Sequence, residues 1–215
     1  MASPAGCISA SGKPFDVAPM VLLIFFWTIY FTLHSLLATT WLKESVARQY
    51  PTAARFYRLA YNQMSVWGFL LIIRYQSQLP EIWLFRPSGL VVVLAWALLG
   101  TGVVVAVAAL RGYDLGEFAG WAYVRAGAQA ADVPLHTAGL NRLVRHPLYL
   151  GLLLGLLGFW LLSPTGTCTV FVGCNVAYLL VGTRLEERKL IQRFGAAYAR
   201  YQARVPQLLP TKGLP

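Results

Sequence analysis

The sequence predicts an all-α, polytopic membrane protein with five transmembrane helices and a C-terminal interfacial helix. Three observations predict it. The 215-residue chain is 57% hydrophobic and only 12% charged. Its apolar residues gather into five separate runs, to be judged against the roughly 20 residues a helix needs to cross a bilayer. Its scarce positive charges fall between those runs in a one-sided pattern.

Each element follows in order. The segment up to Pro19 carries Lys13 and Asp16 and lacks a short apolar core with a cleavage site. It reads as a polar lead-in to a retained helix, not as a signal peptide. The first crossing is expected over 20–40. The second, over 59–74, is short and carries Asn62 and Gln63. The third, over 88–110, is the cleanest. The fourth and fifth, over 148–162 and 167–183, are separated only by Ser163-Pro164-Thr165-Gly166, a turn that makes them a tight antiparallel hairpin. Gly151, Gly155 and Gly158 fall at i, i+4, i+7 and offer one smooth face for close helix approach. Over 186–205, Leu190, Phe194, Tyr198, Tyr201 and Val205 recur at helical spacing, with Arg and Gln opposite. That stripe predicts a helix lying along the membrane interface or packed on the bundle. Pro206 and Pro210 then end regular structure.

Orientation follows from the loops. Of the eighteen Lys and Arg residues, all but Lys13, Arg74 and Arg86 fall in the segments after the first, third and fifth runs. Five crossings with the N-terminus outside put all three segments in the cytoplasm, as in a bacterial inner membrane. One domain is expected over residues 1–215.

The same composition narrows the function. Only eight residues are acidic, yet each basic stretch adjoins an apolar run, so the charge argues for membrane anchoring and against nucleic acid. Cys7, Cys168 and Cys174 form neither a redox pair nor a disulfide framework. His34, His136 and His146 lack metal-ligand spacing, so no metal site is expected. Gly100-Thr101-Gly102 has no third glycine in place and is not a dinucleotide loop.

Two polar clusters stand out at helix mouths: Arg145-His146-Pro147-Leu148-Tyr149-Leu150-Gly151, and Arg184-Leu185-Glu186-Glu187-Arg188-Lys189. A hairpin brings them together. The composite offers Arg145 and His146 as a basic pole, the Tyr149 phenol one turn inside, and Glu186 and Glu187 as an acidic pole. Such a pocket suits a zwitterion with a carboxylate, an amine and hydroxyls, because an Arg fork matches a carboxylate and a Glu accepts from ammonium or hydroxyl groups. Each residue also has a plain reading. Arg145 and His146 are equally positive-inside anchors, Glu186 pairs equally with Lys189 three residues on, and Tyr149 suits an interfacial belt. His34 and Asn62 line a substrate cavity or simply bond between helices.

Together the clusters resemble a known family. Arg-His-Pro-x-Tyr-x-Gly at 145–151 is followed by Leu185-Glu186-Glu187-Arg188, Phe194-Gly195, Tyr198, Tyr201, Val205-Pro206 and Pro210. This pattern is similar to that of the isoprenylcysteine carboxyl methyltransferase superfamily. Gly112-Tyr113-Asp114-Leu115-Gly116-Glu117-Phe118 and Ala177-Tyr178-Leu179-Leu180-Val181-Gly182 look most like its bacterial methanethiol S-methyltransferase branch.

The resemblance implies an integral-membrane methyltransferase that uses S-adenosyl-L-methionine without a Rossmann domain, with its catalytic signature over 111–210. It implies cofactor contacts from Arg145, His146, Tyr149, Leu150, Gly151, Glu186 and Glu187, with Arg145 and Glu187 in catalytic roles. The acceptor is expected to be a small or lipophilic thiol, with His34, Asn62, Asp114 and Glu117 as residues near it. Carboxyl methylation of a prenylcysteine-like acceptor and an NADPH-dependent sterol-type reduction are the alternatives, with a non-catalytic membrane protein behind them.

Overall fold

The computed structural model describes residues 17–111, 116, 121, 124 and 135–211. Among the described residues the chain is helical and has no strand. The helices are α1 (Ala18–Leu37), α2 (Thr40–Gln49), α3 (Pro51–Ala54), α4 (Tyr57–Gln76) and α5 (Leu90–Leu110). A 3-10 turn at Gly139–Arg142 precedes α6 (Pro147–Leu162), α7 (Gly166–Phe194) and α8 (Ala196–Arg204).

Local chemistry explains the boundaries. Pro147 takes the first position of α6, where its missing N–H costs nothing. Thr165 caps α7 by accepting from the Cys168 N–H at 3.2 Å. Inside α1, the Thr28 and Thr32 hydroxyls donate to carbonyls one turn back, each at 2.8 Å. That self-satisfaction lets polar side chains sit on an apolar helix.

Among the described residues three helices, α1, α5 and α7, are long and apolar enough to cross a membrane. Their outer faces carry exposed Val21, Phe25, Leu90, Val93 and Val104, which in water would be an unsheltered apolar surface. The other two expected crossings fall short on those criteria. The 16 residues of α6 rise only about 24 Å against a hydrocarbon core of about 30 Å. Helix α4 is 20 residues long, but Arg58, Asn62, Gln63, Ser65 and Arg74 dilute its hydropathy.

The five long helices nevertheless alternate in direction. At one end the α4–α5 connection meets the α6–α7 turn: Leu84 N–H donates to the Pro164 carbonyl at 2.8 Å and Gly166 N–H to the Ile82 carbonyl at 2.9 Å. The start of α1 is there too, with Met20 against Gly166. The end of α1, the start of α4, the start of α6 and the second half of α7 share the other end. Packing runs α4, α1, α7, α6, α5. Trp27, fully buried, sits at the centre, with Tyr30, Phe31, Phe69 and Phe171 rings 5.4–5.8 Å from its own.

The small-residue face of α6 meets α5. A Cβ at Gly151 would fall 2.6 Å from Ala106 N, and one at Gly158 would fall 2.5 Å from Leu99 N. At Gly155 it would meet nothing, but a Cβ at Gly102 would strike the Gly155 backbone at 2.5 Å. The hairpin partner α7 is therefore the lesser neighbour of α6.

The tail corrects one expectation. Residues 186–194 do not begin a separate interfacial helix; they continue α7, whose 29 residues span about 43 Å. No helix breaker intervenes until Gly195, where φ is +53°, a conformation that favours glycine. The chain then turns into α8. The Tyr198, Tyr201 and Val205 stripe is buried against Leu135, Leu190 and Phe194, so it packs on the protein.

Candidate functional site

The site assembles where the first turn of α6 meets the second half of α7. Arg145 and His146 precede Pro147 in non-helical backbone, and their N–H groups pair with the segment beyond α8. Arg145 N–H donates to the Pro206 carbonyl at 2.9 Å and His146 N–H to the Gln207 carbonyl at 3.2 Å. The tail is thus stitched across the mouth of α6.

Arg145 is largely buried and faces inward. Its Nε and Nη2 donate to Glu187 Oε1 at 2.7 and 2.6 Å. Its Nη1 donates to the carbonyls of Gln202 and Val205. The other Glu187 oxygen accepts from Gln202 Nε2 at 3.2 Å. Asn141 Nδ2 donates to the Arg145 carbonyl at 3.2 Å, and the Tyr201 hydroxyl donates to the Asn141 carbonyl at 2.6 Å. The Arg145–Glu187 pair therefore clamps α8 and the 3-10 turn onto α7, and its guanidinium fork is occupied within the protein.

His146, 5% exposed, stands between the two carboxylates. Its Nε2 lies 3.3 Å from Glu187 Oε1 and its Nδ1 lies 3.8 Å from Glu186 Oε2. Glu186 is the open member, with 39% of its side chain exposed against 14% for Glu187. Tyr149 meets the His146 ring edge-on at 5.6 Å. Its hydroxyl lies 3.7 Å from where a Cβ on Gly182 would sit, so the absent side chain leaves that face of α7 bare.

Five of the residues expected in the site, Arg145, His146, Tyr149, Glu186 and Glu187, come together. Leu150 is half-buried, and its N–H makes the first-turn bond to the His146 carbonyl at 3.1 Å. Gly151 turns instead towards α5. It also lines an apolar groove of about 340 Å³ with Leu99, Gly102, Ala106, Gly155 and Phe171. His34 sits at the same end of the bundle, near Tyr61 and Tyr178. Asp114 and Glu117 lie outside the described residues. Sequence reasoning missed Asn141, Gln202 and Gly182; the tyrosines at 198 and 201 were the one hint that the tail docks here.

Electrostatics set the site apart. Burial pushes the Tyr198 phenol far above its ordinary range, and the Glu187 carboxylate adds to the effect. Among the described residues the buried Tyr198 hydroxyl has no hydrogen-bond partner. Burial lowers the Lys43 ammonium, and the nearby Arg58 and Lys189 charges lower it further. Cations from α2, α4 and α7 thus crowd the same end. Among the described residues no cluster could hold a metal ion.

Three apolar helices of membrane-crossing length among the described residues, with ionisable groups gathered at one end of the bundle, fit the class of membrane proteins with a polar cluster at a helix mouth. The chain belongs to the family described as Protein of unknown function (DUF1295), whose model matches residues 1–205. It is 32% identical over 209 residues to Methanethiol S-methyltransferase 2 of Bradyrhizobium diazoefficiens, an alignment covering 93% of this chain and 76% of that protein. It is 40% identical over 86 residues to Methanethiol S-methyltransferase of Pseudomonas deceptionensis, covering 39% of this chain and 31% of that protein. The resemblance drawn from the 145–210 signature is borne out by these relatives. No solved structure matches the chain.

Proposed function

We propose that this protein is an S-adenosyl-L-methionine-dependent membrane methyltransferase that S-methylates a small or lipophilic thiol. One observation carries the reading: His146 and Glu186, forty residues apart, are 3.8 Å from each other at a shared helix mouth. The methyltransferase names of its relatives support the same conclusion. Five crossings, an outside N-terminus and a cytoplasmic C-terminus in a bacterial inner membrane complete it, with one domain over residues 1–215.

The residues fit the cofactor. Glu186 presents a half-open carboxylate suited to an ammonium or ribose hydroxyls, and His146 suits the cofactor's carboxylate. The Tyr149 ring offers a π face to a cationic sulfonium, and the bare Gly182 leaves room beside it. The buried Tyr198 hydroxyl is a donor without an acceptor among the described residues. Leu150 and Gly151 follow in the same turn. Arg145 and Glu187 enter as positioning residues, because their charges already satisfy each other and the tail.

When bound, the cofactor supplies an electrophilic methyl on a cationic sulfur. The chain's own work is to bind, orient and exclude water. Glu186 and His146 hold the polar end at the helix mouth, and the Arg145–Glu187 clamp keeps α8 and the tail across it. The apolar interior of the bundle keeps water from the reacting centre, where a cation and an anionic nucleophile neutralise each other in the transition state. A lipophilic acceptor enters from the bilayer, whereas the polar cofactor enters from the aqueous end.

Calorimetry on the purified protein tests this. S-adenosyl-L-methionine should bind, NADPH should not, and Glu186→Gln should weaken cofactor binding about tenfold, roughly 1.4 kcal/mol. Unchanged affinity in Glu186→Gln removes Glu186 from the site, and binding of NADPH alone replaces the methyl-transfer reading with a reductase.

A further inference from the structure

Thiol methylation leaves one chemical demand unmet by the groups at the helix mouth. The thiolate is the nucleophile, even a free cysteine thiol ionises only near pH 8.5, and apolar surroundings make ionisation harder still. A water-poor chamber working near neutrality therefore needs a base beside the acceptor. The Arg145–Glu187 pair is occupied by the tail, and Glu186 and His146 face the cofactor's polar end.

A second polar niche lies on the same face of α7. Tyr178, Gly182 and Glu186 follow each other at four-residue intervals, so they share one stripe. Glu186 meets His146, Gly182 meets Tyr149, and Tyr178 meets His34, whose ring stands edge-on to it at 5.8 Å. Eight residues along α7 put this niche about 12 Å, or two turns, from Glu186 towards the middle of the bundle.

The hydrogen bonds around His34 fit the tautomer protonated at Nδ1. The Ser65 hydroxyl has one proton, and it goes to the Tyr61 carbonyl at 2.8 Å. Ser65 Oγ must then accept from His34 Nδ1, 2.9 Å away. Nε2 is left without a proton. The Tyr61 hydroxyl lies 2.6 Å from Nε2 and 3.3 Å from Nδ1. The described titratable groups facing the imidazole are Tyr30 of its own helix, Tyr61 of α4 and Tyr178 of α7. None is a carboxylate or a cation. Three helices thus converge to hold a neutral imidazole with its basic nitrogen under a phenol.

We propose that His34, acting through the Tyr61 hydroxyl, is the base that takes the proton of the thiol acceptor. This rests on the thiol-methylation reading. The acceptor S–H bond breaks, its proton goes to Tyr61 Oη, and the proton of Tyr61 goes to His34 Nε2. The acceptor sulfur forms a bond to the methyl carbon as the sulfonium C–S bond breaks, and that electron pair stays on the departing sulfur. The products are a thioether, the neutral demethylated cofactor and an imidazolium, which returns its proton to water at the aqueous end.

The test uses the full chain in detergent with methanethiol as acceptor. Across pH 6 to 10, His34→Gln should lower kcat/KM about 100-fold at neutral pH, as loss of a general base does. The deficit should shrink as pH rises and thiolate forms unaided. Tyr61→Phe, which keeps the ring and its packing but breaks the relay, should lose about 100-fold with the same trend. Calorimetric affinity for S-adenosyl-L-methionine should stay unchanged in both. With the amine analogue sinefungin bound at neutral pH, methanethiol should show the ultraviolet band of a thiolate in the wild type and not in either variant. A wild-type pH profile in Tyr61→Phe or His34→Gln, or a deficit equal at every pH, overturns the inference and leaves the methyltransferase reading standing. A wild type that binds the cofactor but does not methylate the thiol overturns both.

Discussion

Two adjacent glutamates do different work. Glu187 turns into the protein, where Arg145 and Gln202 saturate it, while Glu186 remains half-open beside His146. Breaking a buried ion pair from one side leaves a charge without compensation, at a cost of about 3–5 kcal/mol. Arg145→Ala should therefore lower the thermal midpoint sharply and expose the tail to protease. Glu186→Gln should leave the midpoint nearly unchanged, within about 0.5 kcal/mol, and change cofactor affinity only. Sequence alone singled out both glutamates and Arg145 but could not separate them. On a helix, neighbouring residues point about 100° apart, and which one faces the clamp depends on where α8 docks.

At the scale of elements, the α5–α6 contact and the α8 clamp each make a measurable statement. A methyl added at Gly158 would press on the Leu99 backbone, whereas one at Gly155 would meet open space. Gly158→Ala should thus destabilise the detergent-solubilised protein by about 1–3 kcal/mol, as overpacking does, and Gly155→Ala should be tolerated. The i, i+4, i+7 spacing marked all three α6 glycines as one face. Only the pairing with α5 reveals which of them lacks room. For α8, burial raises the Tyr198 and Tyr201 phenols above the usual range of about 10. The unfolded chain releases those protons near pH 10 while the folded one keeps them, so stability is full below about pH 10 and falls as pH climbs towards the folded values. Protection factors of the 196–204 amides, corrected for base-catalysed exchange, should fall above about pH 10 without loss of the bundle, and Tyr198→Phe should blunt the change.

For the molecule as a whole, the alternation of five long helices is the feature on which orientation turns. Cysteines placed at 45 and 200 should react with an impermeant maleimide only after the inner face of the membrane is opened, and one at 80 should react from outside. The apolar runs and the one-sided positive charge were legible because lipid acts on each segment separately: length, hydropathy and flanking charge are local properties. The two polar clusters were legible as a signature for the same reason, since each lies within a few residues of a helix mouth. What the tertiary structure alone decided is how the segments share their charges. It turned the Arg145 fork to Glu187 and the tail, ran α7 on through the second cluster, packed α6 chiefly on α5, and gathered His34, Tyr61 and Tyr178 from three helices. Those outcomes depend on close packing and directional hydrogen bonds between residues far apart in the chain, and such contacts leave no periodic mark on the sequence.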